Sequence, residues 1–123
     1  MKPFKIIDDD IAYIEFYEDY VISSVKEDVI FDLDELNWLF MLLEEHYPNQ
    51  SFGYISNRKY NYNLNPTNYE MINLYEKIVC HAVVYHSEIG KKIAVFEKNF
   101  STNAFEIFDS LEKAKEWVIE FKK

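Results

Sequence analysis

Glycine is scarce in this sequence: the 123-residue chain contains only two. A dinucleotide-binding fingerprint needs three glycines in one loop, so that class of site is excluded. A Walker A loop needs glycine, four residues and then Gly-Lys-Ser/Thr. Here Gly90-Lys91 is followed by Lys92, and Tyr85 stands where the first glycine belongs. Both standard phosphate-cradling loops are therefore absent from the sequence.

Cysteine and long apolar runs are equally scarce. The single cysteine, Cys80, cannot form an internal disulfide, so nothing in the sequence requires an oxidising compartment. No stretch approaches the ~20 apolar residues of a membrane-spanning helix. The acidic run Asp8-Asp9-Asp10 also interrupts the N-terminal region where a signal segment would lie. We therefore expect a cytoplasmic protein without integral membrane association.

Basic residues are outnumbered by acidic ones, 13 to 22, which gives a formal net charge of −9. Phosphate-backbone binding needs clustered Lys and Arg, so we expect no nucleic-acid partner. Hydrophobic residues make up 49% of the chain, enough for a packed core. The length suits one domain, and we expect residues 1–123 to form it.

Two periodicities alternate along the chain. The β-rich runs Ile11–Tyr17 and Tyr20–Val25 predict an antiparallel hairpin, preceded by a short strand at residues 4–7. Helical spacing then begins near residues 33, 66, 89 and 111, with predicted strands at 52–56, 78–85 and 105–108 between the helices. The order predicts an α/β fold with a single mixed sheet: an N-terminal hairpin, then parallel βα units, with about four helices.

Local signals mark the predicted helix starts. The string Asp32-Leu33-Asp34-Glu35 fits a capping box, and Asp109-Ser110-Leu111-Glu112 repeats the pattern. Asn65-Pro66 is a cap followed by proline in the first turn. In the third predicted helix, four large apolar residues fall on one stripe: Ile89, Ile93, Phe96 and Phe100.

The candidate site lies where parallel strands end. Open α/β sheets bind ligands beyond the carboxyl ends of their strands, near a reversal of strand order. Two such ends are the segments 56–65 and 85–88, and the first holds the only arginine of the chain. The predicted ligand- or partner-binding residues are Ser56, Asn57, Arg58, Tyr60, Asn61, Tyr62 and His86.

Each residue type in this set has an expected role. Arg58 anchors a carboxylate or phosphate, Tyr60 and Tyr62 supply rigid contact area, and Asn57 and Asn61 supply hydrogen bonds. A solvated connector, in which asparagine side chains satisfy the loop backbone, explains the same composition without a site.

An enzymatic function is the alternative to a binding site. The string from Val29 to Leu36 contains a D-x-D pattern similar to that of haloacid-dehalogenase-type phosphatases, which would make Asp32 a nucleophile. His86 stands at a strand end beside Ser87 and Glu88, as a general base would. The capping box explains Asp32 equally well. We therefore predict no catalytic residue and keep a small hydrolase using Asp32 or His86 as the alternative.

Metal and cofactor sites are not predicted. Cys80 and His81 are adjacent in a predicted strand, so they point to opposite faces, and no further ligands show zinc spacing. His81 lies in an apolar strand and is interpreted as a core histidine bonded to a neighbour.

The order of elements resembles small bacterial STAS-like proteins, relatives of the anti-sigma-factor antagonists in the STAS/SEC14 branch. The resemblance is carried mainly by Gly53-Tyr54-Ile55-Ser56-Asn57-Arg58 and by the pattern Ala114-x-x-Trp117. It implies a non-enzymatic regulatory or ligand-binding domain. The antagonists are phosphorylated at a serine after a central strand, and Ser56 lies at a comparable strand end, without the Asp-Ser-Ser-Gly string of the family. The STAS/SEC14 label also implies apolar, lipid-like ligands.

The predicted function is a binding module that uses the 57–65 loop and the adjacent strand ends, with no cofactor. Its partner is an unknown protein or a small apolar or anionic ligand. Aromatic residues form 18% of this short chain, which favours an exposed apolar patch and a homodimer.

Overall fold

All strands belong to one mixed sheet in a computed structural model of the protein, which describes residues 2–61 and 64–123. The strands β1 to β6 span Lys5–Asp8, Ala12–Phe16, Tyr20–Val25, Phe52–Arg58, Ile78–Tyr85 and Ala104–Phe108. The helices α1 to α4 span Leu33–His46, Tyr69–Leu74, Glu88–Lys98 and Leu111–Lys122, and a 3₁₀ turn at Pro66–Asn68 leads into α2.

The six strands lie side by side in chain order. The pairs β1–β2 and β2–β3 are antiparallel, and β3 to β6 are parallel, so the predicted α/β fold with one mixed sheet is confirmed. Because right-handed crossovers that advance in one direction stay on one face, α1, α2 and α3 lie together. The last helix, α4, packs on the opposite face. The strand order never reverses among the described strands. The reversal that the site prediction assumed is therefore absent.

The predicted start of α1 is confirmed by its capping box. The Asp32 side chain accepts a hydrogen bond from the backbone N–H of Leu33 at 2.9 Å, and the Glu35 carboxylate accepts one from the backbone N–H of Asp32 at 2.8 Å. At α4 the cap is Ser110, one residue later than predicted, because its Oγ accepts from the N–H of Lys113 at 3.3 Å.

Each face of the sheet has its own core. Under α1, the side chains of Leu36, Leu39 and Leu43 pack on the helix-rich face. On the other face, α4 packs Val118 against the sheet at Gly53. A Cβ at Gly53 would overlap Val118 and lie 3.2 Å from the Cys80 Sγ, so this glycine permits the close approach of α4.

The third helix turns an unexpected side toward the sheet. Its buried residues are Gly90, Ala94 and Glu97. The predicted apolar stripe lies about a quarter turn away: Ile89 is 63% exposed, Phe96 54% and Phe100 39%, while Ile93 is half-buried. An amphipathic helix ordinarily turns its apolar stripe to the core. Small residues and a buried carboxylate take that position in α3.

Candidate functional site

A groove lies at the edge of the sheet where β3 and β4 end. Its volume is about 530 Å³. Its lining residues follow β3, follow β4 or belong to α3: Glu27, Asp28, Val29, Ile30, Lys59, Tyr60, Asn61 and Ile93. Ile30 is 75% exposed and Tyr60 43% exposed. Of the predicted site residues, Tyr60 and Asn61 line this groove, whereas Tyr62 lies outside the described residues.

Asn61 reaches the start of α3. A Cβ added to Gly90 would lie 3.1 Å from the Asn61 Oδ1, so the glycine lets the loop after β4 pass close to the helix. Ser87 caps α3, because its Oγ accepts a hydrogen bond from the N–H of Gly90 at 3.0 Å. Ser87 therefore has a structural role as a helix cap, beside His86, the general base of the hydrolase alternative.

Arg58 is the largest departure from expectation. The strand β4 runs two residues beyond its predicted end at Ser56, so Arg58 belongs to the strand and is only 6% exposed. Side chains two residues apart in a strand share a face, so Arg58 points under the helices, as Ser56 does. Both residues line the same interior cavity.

A buried ion pair holds the Arg58 guanidinium. Its Nη1 and Nη2 donate to the two carboxylate oxygens of Glu97 in α3, the second bond at 2.9 Å, and its Nε donates to the Ser56 Oγ at 3.1 Å. The Tyr69 hydroxyl donates to the same carboxylate at 2.8 Å. Arg58 thus binds a carboxylate, but this carboxylate belongs to Glu97 of the same chain and not to the outside ligand that was predicted.

Ser56 and Asn57 leave β4 in opposite directions. Ser56 is 5% exposed, so its hydroxyl is inaccessible to a kinase in this conformation. Asn57 points to the α4 side, and its Oδ1 lies 2.7 Å from the His86 Nε2 at the end of β5. The structure therefore brings Asn57 and His86 together, and separates them from Ser56 and Arg58 by the thickness of the sheet.

His81 lies in the interior, as predicted, between the rings of Tyr54 and Phe105, both in edge-to-face contact with it. Its Nε2 is buried and has no hydrogen-bond partner among the described residues, so the predicted bond to a neighbour is not formed at this atom. Burial, and secondly the charge of Arg58, lower the pKa of His81 to about 3. The imidazole is therefore neutral at physiological pH.

The interior cavity that His81 lines is small. It lies between β4, β5 and the helices α1 and α2, with a volume of about 40 Å³. One water molecule occupies about 30 Å³ of the liquid, and ligand pockets usually measure about 300–1,000 Å³. A lipid-like ligand would require α1 or α2 to move, so the geometry gives the apolar-ligand alternative no support.

The hydrolase alternative gains no support either. The Asp32 carboxylate caps α1 and also accepts a hydrogen bond from the Asn68 Nδ2 at 3.2 Å.

No group of three or more His, Cys, Asp or Glu residues in the described part of the chain could hold a metal ion. Within the same residues, no helix is long and apolar enough to cross a membrane.

Sequence reasoning missed three of the residues that shape these sites. Glu97 was not singled out, although Gly90, Ala94 and Glu97 at helical spacing could have marked the inner side of α3. Ile30 and Ile93 were missed as groove residues because they come from segments distant in sequence from the loop after β4.

Comparison with solved structures identifies the fold. An uncharacterized protein of the DUF3478 family from Shewanella loihica PV-4, described as having a SpoIIAA-like fold, matches with a TM-score of 0.60. The match covers 87% of this chain and 91% of that chain at 14% sequence identity. The chain has a SpoIIAA-like fold. The predicted STAS-like resemblance is therefore confirmed at the level of the fold. No protein-family model matches the chain, and no curated protein matches it.

Proposed function

We propose that this SpoIIAA-like chain is a non-enzymatic binding module that holds a segment of a protein partner in the groove at the ends of β3 and β4. The observation that carries the proposal is the exposure of Tyr60 and Ile30, which both line that groove. Exposed aromatic side chains supply large, rigid contact area and dominate the energetics of many interfaces.

The polar residues of the groove support a protein segment as the occupant. Lys59 lies in the groove with Glu27 and Asp28, so both signs of charge face a partner. Lys59 is exposed, whereas Arg58 is buried against Glu97. Lys59 therefore takes the role of charged anchor that Arg58 was expected to have.

The test is affinity capture of partners from a lysate of the source cells, with wild-type protein and Tyr60→Ala. Phe121→Ala is the matched control, since Phe121 is an aromatic residue of similar exposure, 46%, on α4. We expect a protein captured by the wild type and by Phe121→Ala, and captured about tenfold less by Tyr60→Ala. Equal capture by all three proteins, or no reproducible capture, contradicts the proposal.

A further inference from the structure

The exposed stripe of α3 has the spacing of a helix-packing seam. Its residues are Ile89, Ile93 and Phe96, and Phe100 continues the stripe two residues beyond the end of the helix at Lys98; they follow one another at intervals of four, three and four. This is the d-a-d-a spacing of a heptad repeat, in which one helix packs knobs into the holes of another. Within the described part of the chain, the partner that such a seam ordinarily has is absent, because α3 packs on the sheet through Gly90, Ala94 and Glu97.

The order of the residue types favours a second α3 in antiparallel orientation. Reversing the stripe exchanges Ile89 with Phe100 and Ile93 with Phe96, so two antiparallel copies place every isoleucine opposite a phenylalanine. A parallel pair would place the bulky Phe side chains against one another. A two-fold contact requires this kind of self-complementary surface.

Charge also favours contact at this helix. The chain carries a net charge of −9, but α3 contributes three lysines, Lys91, Lys92 and Lys98. Of its two acidic residues, Glu97 is buried in the ion pair with Arg58. Beside the stripe, antiparallel packing brings Lys92 of one copy near Asn99 of the other, so like charges do not meet there. Two copies that meet at α3 thus avoid the acidic remainder of the surface.

The exposed apolar area of the stripe limits how strongly two copies can associate. A large aromatic side chain buries about 150–250 Å², so the exposed parts of Ile89, Phe96 and Phe100 offer roughly 300 Å² per copy. Stable interfaces bury about 800 Å² per partner, which places this contact in the weak class. Salt screens the repulsion between two chains of net charge −9, so association should strengthen as ionic strength rises.

We propose that two copies of this chain associate weakly and reversibly through antiparallel packing of α3 on α3. The stripe and the groove share one residue, Ile93, whereas Tyr60 and Ile30 belong to the groove alone.

Sedimentation equilibrium over a concentration series from about 5 µM to about 1 mM tests the association. We expect a wild-type dissociation constant of about 10–100 µM, tighter in high salt. Phe96→Glu should weaken association at least about tenfold. Val95→Glu is the matched control, because Val95 is 51% exposed on the same helix but lies off the stripe. It should leave association unchanged, as should Tyr60→Ala.

A wild-type monomer at every concentration overturns the dimer. Equal weakening by Phe96→Glu and Val95→Glu overturns the assignment of the stripe. Loss of groove partners in Tyr60→Ala with the dimer intact separates this proposal from the preceding one.

Disulfide trapping tests the antiparallel orientation separately. The variants Ile89→Cys and Phe100→Cys are mixed under mild oxidation, and both positions are exposed, so the substitutions leave the core unchanged. The native Cys80 is buried, and burial raises the pKa of its thiol to about 11, so it does not compete. Mixed dimers, in which one variant is linked to the other, should form faster than either self-linked dimer. Faster self-linking of either variant contradicts the antiparallel arrangement.

Discussion

The end of β4 and the outer side of α3 both depart from the usual distribution of side chains: a charged residue is buried at the strand end, and large apolar residues are exposed on the helix. Arg58, at a strand end near the surface, is buried, whereas Ile89 and Phe96, large apolar residues of an amphipathic helix, are exposed. The ion pair between Arg58 and Glu97 links the two observations. When Glu97 faces the sheet, the helix is rotated so that its apolar stripe points outward. The ion pair joins residues 39 positions apart in the sequence and lies on the side of α3 that faces the sheet.

Breaking the ion pair should have the largest effect. Glu97→Gln leaves the Arg58 guanidinium buried without a counter-charge, and the expected loss is about 3–5 kcal/mol in the free energy of unfolding. Urea denaturation at neutral pH measures it. Glu106→Gln is the control, because it removes the exposed ion pair of Lys98 on the same helix, 3.6 Å long, and should hardly change stability. Similar losses for both variants would show that the buried pair does not hold α3.

The opposite helix, α4, differs from α3, since it approaches the sheet through a glycine of the strand rather than one of the helix. Gly53→Ala should lower the free energy of unfolding by about 1–3 kcal/mol, because the new methyl group overlaps Val118. Denaturant titration measures the loss. Adding Val118→Ala to Gly53→Ala should remove the overlap, so that the second substitution costs less in this background than in the wild type. Additive costs would contradict the close contact.

The neutral imidazole of His81, which lies under the helices, makes the free energy of unfolding depend on pH. The pKa of His81 is about 3 in the folded chain, below its ordinary value of 6.5, so the unfolded chain binds the proton first. The stabilisation of the folded chain by the neutral His81 is complete above about pH 6.5 and is lost as the pH falls toward 3. Between about pH 7 and pH 5 the wild type should lose about 2 kcal/mol more than His81→Leu. Denaturation curves at both pH values provide the comparison, and parallel losses would exclude His81 as the cause.

The exposed stripe should matter least to the stability of the monomer. Phe96→Glu at micromolar concentration should change the free energy of unfolding by about 0.5 kcal/mol or less, because no core contact is removed. Ala94→Glu on the same helix is the contrasting variant, since Ala94 is fully buried and a larger, charged side chain there would have to enter the core. A large loss for Phe96→Glu would mean that the stripe is part of the core.

The sequence predicted those features that depend on neighbouring residues. The capping box at Asp32 and the buried strand Ile78–Tyr85 follow from local spacing, and both are present. The element order predicted the single mixed sheet, because alternating strands and helices leave few topologies.

The candidate site was harder to predict because it depends on orientation. Alternation from Phe52 through Tyr54 and Ser56 would have placed Arg58 on the inner face, had β4 been extended by two residues. The polar character of residues 57–65 indicated a loop instead. The apolar stripe alone does not give the rotation of α3, because the burial of Glu97 involves a contact with Arg58 in a distant strand.

Thiol reactivity along α3 reports which side of the helix faces the sheet. Single cysteines introduced at Ile89, Phe96 and Ala94 are compared for their rates of modification by a thiol reagent under native conditions, with the buried Cys80 silent in each protein. We expect rapid modification of Ile89→Cys and Phe96→Cys, and at least about tenfold slower modification of Ala94→Cys, whose position is fully buried. Rapid modification at position 94 with protection at 89 and 96 would show instead that α3 turns its apolar stripe toward the sheet.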